Sequence, residues 1–248
     1  LARVEVPWQL TAQPTGIAIE SLQLRSEICQ VAVRGRLDPN IAAGRHDLEL
    51  RGQIDGAKLA AMLSHRLSIR SDTTITSGTI DVAGTMKTTA DGQSITGTLA
   101  TTQLAATKGG KAVTWDQPVN ANFAIHRAGG SFALDSLQCD SKFLHIEAAG
   151  TSQQLTANAN FDLNALSEQL SQFVDLSGIQ LAGTGSTQVI WQQPASDKFA
   201  AKVATDLSQL RVALGDGSIW TEPQLTVRAE ASGMINPTSH EPTRVEAA

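Results

Sequence analysis

The chain has 248 residues, a net charge of −5, 41% apolar and 17% charged residues, and no tyrosine. That is enough chain for one large all-β domain or two smaller units, and it is too regularly apolar to stay disordered. It lacks the basic face a nucleic-acid partner would need, and with 4% aromatics it is poor in the usual anchors of tight interfaces and base stacking.

No run approaches the ~20 apolar residues of a membrane span, and no signal peptide is visible. The sequence starts at Leu1 rather than at a methionine, and a strand-like pattern begins at once, at Val4. We therefore expect part of a longer protein, with any export signal or membrane anchor lying outside it.

In chain order, most segments alternate with period two, as strands with one buried face do. Val4, Val6, Trp8 and Leu10 come first, then Ile17 and Ile19, then Leu22 and Leu24. Between Ile19 and Leu22 the alternation slips by one residue, which predicts a β-bulge at Glu20-Ser21. After a loop over 37–44, Leu48 and Leu50 resume the pattern. Beyond Asp55 the spacing changes to three and four, with Leu59, Met62, Leu63 and Leu67 on one stripe. This predicts a short helix of about ten residues whose first turn Asp55 caps. Ile80 and Val82 return to alternation.

The second half follows the same plan. Val119, Ala121, Phe123 and Ile125 alternate with Asn120, Asn122, Ala124 and His126. Phe132 and Leu134 precede Leu137 and Cys139, with the same slip, now at Asp135-Ser136. After Asp162 (or Asn164 as the cap) a helical stripe runs through Leu163, Leu166, Leu170, Phe173 and Val174. Leu225, Val227 and Ala229 alternate again near the end. Turn signals separate these segments: Pro14-Thr15-Gly16, Asp91-Gly92, Gly109-Gly110, Ala128-Gly129-Gly130 and Gly215-Asp216-Gly217.

The two halves read as copies. At an offset of 115, Ser21-Leu22-Gln23 falls on Ser136-Leu137-Gln138 and Gly35 on Gly150. The offset drops to 107 after the first copy's longer loop, so that Ile54-Asp55 falls on Phe161-Asp162. At 105, Trp115-Asp116-Gln117-Pro118 meets Trp220-Thr221-Glu222-Pro223. The expected division is repeat unit one over 1–117, beginning mid-unit, unit two over 118–222, and the start of a further unit with a tail over 223–248. The fold class is mostly β: an elongated, curved antiparallel sheet, groove-like or sandwich, with one short helix per repeat plugging an end or covering an edge.

Chemistry is sparse. His46, His65, His126, His145 and His240 each lie more than four residues from another His or Cys, and they read as solvated surface histidines rather than metal ligands. No GxSxG elbow occurs. Gly183-Thr184-Gly185 lacks the lysine and following helix of a phosphate loop and reads as a bulge or turn. Asp116 and Glu222 read as polar turns before strands. Cys29 falls on Leu144, and Cys139 on Leu24, so both cysteines read as apolar packing rather than as a disulfide. No enzyme activity, metal or cofactor is expected.

Two stretches carry a family resemblance. One is Gly52-Gln53-Ile54-Asp55 with Leu59, Leu63 and Ser77-Gly78-Thr79-Ile80. The other is Asn160-Phe161-Asp162-Leu163 with Leu166, Leu170 and Gly183 to Val189. Over most of residues 46–230 this succession resembles the AsmA-like family, which includes the translocation and assembly module proteins and other bridge-like lipid carriers. The resemblance implies a long, curved sheet with an apolar groove. It implies a parent protein anchored in the inner membrane and reaching across the periplasm, with phospholipid as partner and no catalytic residue. The groove would be lined by Ile17, Ile19, Leu22, Leu24, Val119, Phe123, Ile125, Phe132, Leu134, Leu137, Leu225 and Val227. Alternation alone fits a second reading equally well: a structural or adhesive cell-surface domain whose apolar faces close into a filled core.

Overall fold

The computed structural model describes residues 4–14, 16–38, 45–63, 66, 68–89, 92–115, 117–128, 131–176, 178–235 and 242–247. Thr15, the loop residues 39–44, His65, Leu67, Asp91, Asp116, Gly129, Gly130 and His240, all used above, lie outside them. The chain forms two compact units, residues 1–130 with Gln172–Asp175 (unit 1) and residues 131–171 with 176–248 (unit 2).

Unit 1 holds β1 (Trp8–Gln13), β2 (Gly16–Arg25), β3 (Cys29–Leu37), β4 (Asp47–Asp55), α1 (Gly56–Met62), β5 (Thr73–Ser77), β6 (Thr79–Thr89), β7 (Gly92–Thr101), β8 (Leu104–Lys108), β9 (Lys111–Trp115) and β10 (Asn120–Ala128). Its main sheet has the order β1-β2-β3-β4-β6-β7-β10, and a small sheet has the order β5-β8-β9. Unit 2 holds β11 (Ser131–Asp140), β12 (Leu144–Thr151), β13 (Gln154–Asp162), most of α2 (Leu163–Phe173), β14 (Gln180–Ala195), β15 (Lys198–Ala213), β16 (Ile219–Ile235) and β17 (Pro242–Ala247), with the strands in sequence order. Pairing in each unit is antiparallel, and neither run of strands closes into a barrel. Most neighbours are joined by short hairpins, which leave little choice because parallel neighbours need long crossovers.

The two predicted bulges are present at the predicted residues. Ile19 pairs with Gly35 and Leu22 with Val33, so Glu20 and Ser21 oppose the single residue Arg34. In unit 2, Leu134 pairs with Gly150 and Leu137 with Ala148, so Asp135 and Ser136 oppose Ala149. The glycine beside each bulge is required. Gly35 (φ +134°) and Gly150 (φ +145°) lie where a side chain would strike the backbone of Asp47 and of Gln154.

Both helices start as their acidic residues dictate. Asp55 Oδ1 accepts the Lys58 N–H at 3.0 Å, and Asp162 Oδ1 accepts the N–H groups of Asn164 (2.9 Å) and Ala165 (3.0 Å). α1 has seven residues, shorter than the spacing predicts, because Leu63 already closes its last turn on Leu59. Met62 and Leu63 are exposed, and the buried member of the helix is Ala60.

The units differ where their strands cross the level of the helix. β14 and β15 each run for sixteen residues. The matching segments of unit 1 are cut into β5 and β6, and into β7 and β8. The registers on the helix side agree, with Ile75 opposite Ala106 and Ala182 opposite Arg211. Unit 2 takes up the irregularity inside the strands. Pairing passes from Ala182–Arg211 to Thr184–Ser208, and from Leu210–Glu222 to Ser208–Gln224. Gly183 thus lies at a bulge, as the single residue opposite Gln209 and Leu210 of β15. Gln209 (φ +53°) and Pro223 face each other at the unpaired step, where proline's missing N–H costs no ladder bond. Glu222 is accordingly a strand residue opposite Leu210, not part of a turn ahead of a strand.

The last turn of α2 belongs to unit 1. There the Phe173 ring lies 5.9 Å from the Trp115 ring and is 3% exposed. Phe173 O accepts the Arg70 N–H (3.1 Å), Asp175 N–H donates to Ser68 O (2.8 Å), and Ile69 bridges to Val174. Phe173 therefore anchors the small sheet of unit 1.

Candidate functional site: the apolar sheet faces

In an antiparallel ladder, directly opposed residues point to the same side. Tracing the registers across unit 1 puts Leu10, Ile17, Ile19, Leu22, Leu24, Val31, Val33, Leu48, Leu50, Ile54, Ile80, Val82, Met86, Ile95, Leu99, Phe123 and Ile125 on one face. The bulge is what keeps Ile17 and Ile19 on the same side as Leu22 and Leu24. The Phe123 ring lies across Gly97, in the space a side chain there would fill. Val119 lies just before β10, where its N–H donates to Thr101 Oγ1 at 2.8 Å. All seven residues predicted here for unit 1 border this face.

In unit 2, Leu134, Leu137, Cys139, Ile146, Ala148, Leu155, Phe161, Val189, Trp191, Val203, Leu207, Leu225 and Val227 share a face by the same tracing, and Phe132 is two residues before Leu134. The five residues predicted for unit 2 are on it. What the prediction missed in each unit is the middle: β3, β4, β6 and β7, then β12 to β15. The signal was the same alternation, carried by strands that were not included.

These faces are open. Among the described residues no large side chain is under 2% exposed. Trp8 is 67% exposed, Phe132 52%, Val227 48%, Leu24 39% and Phe123 37%. Leaving a large aliphatic half in water forgoes on the order of 1 kcal/mol of burial. The most exposed members are on β1, β2, β7, β10, β11, β15 and β16, while those of β3, β4, β6, β13 and β14 are partly exposed, so each face is an accessible apolar surface.

The opposite faces satisfy themselves. In unit 1, Gln53 donates to Asp81 (2.8 Å), and the Thr85 and Thr96 hydroxyls meet at 2.8 Å. In unit 2, Gln188 donates to Asn158 (3.2 Å), Thr226 to Asp206 (2.6 Å) and Lys202 to Glu230 (3.0 Å). His145 is on this side, with Nδ1 2.5 Å from Asp140 and Nε2 3.3 Å from Glu147. The hydrogen bond to Asp140, then the two carboxylate charges, raise its pKa above the ordinary histidine value. His126 is on the polar face and exposed. His46 corrects the expectation of a solvated histidine: it is 3% exposed, its N–H donates to Thr88 Oγ1 (3.0 Å), and its Nδ1 accepts the Asp38 N–H (3.3 Å).

Cys29 and Cys139 are free and half-buried, opposite Ile54 and Ile146. Among the described residues, no three His, Cys, Asp or Glu side chains gather into a metal-sized cluster, and no helix is long and apolar enough to cross a membrane. No protein-family model matches the chain, nor does any curated protein or solved structure.

Proposed function

We propose that the chain is a non-catalytic periplasmic segment of an AsmA-like envelope protein that handles phospholipid, holding acyl chains against its apolar sheet faces. The observation that carries this reading is the openness of those faces: strands amphipathic in one consistent sense, polar sides internally paired, and apolar sides left accessible. A closed adhesive domain would bury the same residues in a core. Binding hydrocarbon while leaving headgroups in water needs no catalyst and no cofactor, only an uninterrupted apolar surface.

The test is lipid recovered with the purified protein, quantified by mass spectrometry. Leu99→Asp and Val203→Asp, on the apolar faces of β7 and β15, are expected to deplete it. Thr85→Asp and Gln188→Asp, on the polar faces, are expected to leave it unchanged. Equal lipid in all four variants, or none in the unaltered protein, overturns the reading.

A further inference from the structure

Unit 1 contains a cavity of about 290 Å³ where its two sheets part. It exists because β5 leaves the line of β6 at Gly78, whose carbonyl accepts the Gly56 N–H (2.8 Å) at the start of α1. Leu59 from α1, Ile75 and Leu104 from the small sheet, Trp115 from β9, and Ile80 and Val119 from the main sheet line it. Ile80 is on the apolar face traced above and Val119 borders it, so the cavity continues that face rather than standing apart from it.

Its chemistry excludes a headgroup. No ionisable side chain lines it. Its hydroxyls are already engaged: Thr79 and Thr102 meet at 3.1 Å, Thr102 Oγ1 accepts the Thr79 N–H (2.8 Å), and Thr101 Oγ1 accepts the Val119 N–H. Water entering it would find few partners, so its wall favours an apolar guest. An apolar cavity of about 150 Å³ accommodates a benzene ring, so this one has room for roughly ten chain carbons.

We propose that this cavity seats the methyl end of a single hydrocarbon chain, as the terminal berth of unit 1's apolar face. The inference rests on the lipid-handling reading. Trp115 in the wall reports on it directly. One protein keeps Trp115 alone, with Trp8→Phe, Trp191→Phe and Trp220→Phe. A second keeps Trp8 alone, at the open edge of the same face. Each is titrated with stearic acid carrying a nitroxide near the methyl end or near the carboxyl end, and tryptophan quenching is read.

The expected result is quenching of Trp115 by the methyl-end label and not by the carboxyl-end label, with Trp8 quenched by at least one of them. Ala60→Leu, which fills the cavity from α1, is expected to abolish quenching of Trp115 and spare that of Trp8. Should that variant misfold, the dependence on label position decides alone. Quenching of Trp8 with Trp115 silent, or Trp115 quenched equally by both labels, overturns the berth and leaves lipid handling standing. Silence of both tryptophans overturns both.

Discussion

Units 1 and 2 follow one succession of strands and treat the same mechanical problem differently. Three strands that run unbroken through unit 2 are each cut in two in unit 1. The register next to the helix is the same in both, so the difference arises at the step itself. Unit 2 has Gly183 there, at φ +123°, where a side chain would crowd Ser208 O and Gln209 O. At the matching offset unit 1 has Thr76, a β-branched residue that resists such a conformation. The β5–β8 pairing shifts at that position too, between Ile75 and Ser77, and the chain leaves the main sheet at Gly78 (φ +137°). Both units are irregular at the same step, and only unit 1 parts there into two sheets.

The sharpest way to break this comparison is Phe173→Ala. Phe173 lies in α2 but packs in unit 1, so truncation should cost about 3–5 kcal/mol there. Hydrogen exchange should show β8 and β9 losing protection while β14 and β15 keep theirs. The reverse pattern would refute the assignment of that turn to unit 1. Next in size is Gly183→Ala, which forces a side chain into a strained conformation at about 1–3 kcal/mol. Amides around Ser208–Leu210 should open while the β5–β8 pairing is untouched. Unchanged protection there would mean that Gly183 does not hold β14 together.

Smaller effects probe the helix starts. Asp162→Ala should lower the stability of unit 2 by about 1 kcal/mol, measured by denaturant titration. The matching residue of unit 1 adds a pH test. Accepting the Lys58 N–H, and then the Lys58 charge, hold the Asp55 carboxyl below its ordinary pKa. Its contribution is therefore complete above the ordinary carboxylate range and is lost as the pH falls through the folded-state value. Asp55→Asn should flatten that acid limb of α1 unfolding. The smallest effect belongs to His145, whose folded-state pKa is raised. Its contribution is full below the ordinary histidine value and fades as the pH rises through the folded one. An NMR titration should place the imidazole above its ordinary value, and Asp140→Asn should bring it back.

Much of this was legible in the residues because it is local. Ile17, Ile19, Leu22 and Leu24 announce both a strand and its bulge, since alternation and its interruption are written in consecutive positions. Asp55 and Asp162 announce helix starts because the cap needs only the next three N–H groups. The parting of β5 from β6 was not legible, since Ser77-Gly78-Thr79 is compatible with bulge, turn or break until neighbouring strands decide. Phe173 read correctly as part of an apolar helical stripe, but nothing in a stripe says which unit it will serve. His46 looked like any surface histidine because its burial, in a stretch hydrogen-bonded to Thr88 forty-two residues away, leaves no mark in sequence.

The bulges have a consequence for how such a chain can change. A pleated strand is read two residues at a time, so each bulge acts as a punctuation mark that resets the reading frame. Deleting one residue at Glu20-Ser21 would leave plain alternation with Leu22 and Leu24 still on the side of Ile17 and Ile19, and a deletion at Asp135-Ser136 would likewise spare Leu137 and Cys139. A deletion elsewhere in β2 or β11 would turn the residues on one side of it over. Single-residue deletions are therefore admissible in the hairpin loops and at the two bulges, and forbidden elsewhere inside β2 and β11. Drift in length is channelled to the loops and the bulges, while the sidedness of the sheet is inherited intact.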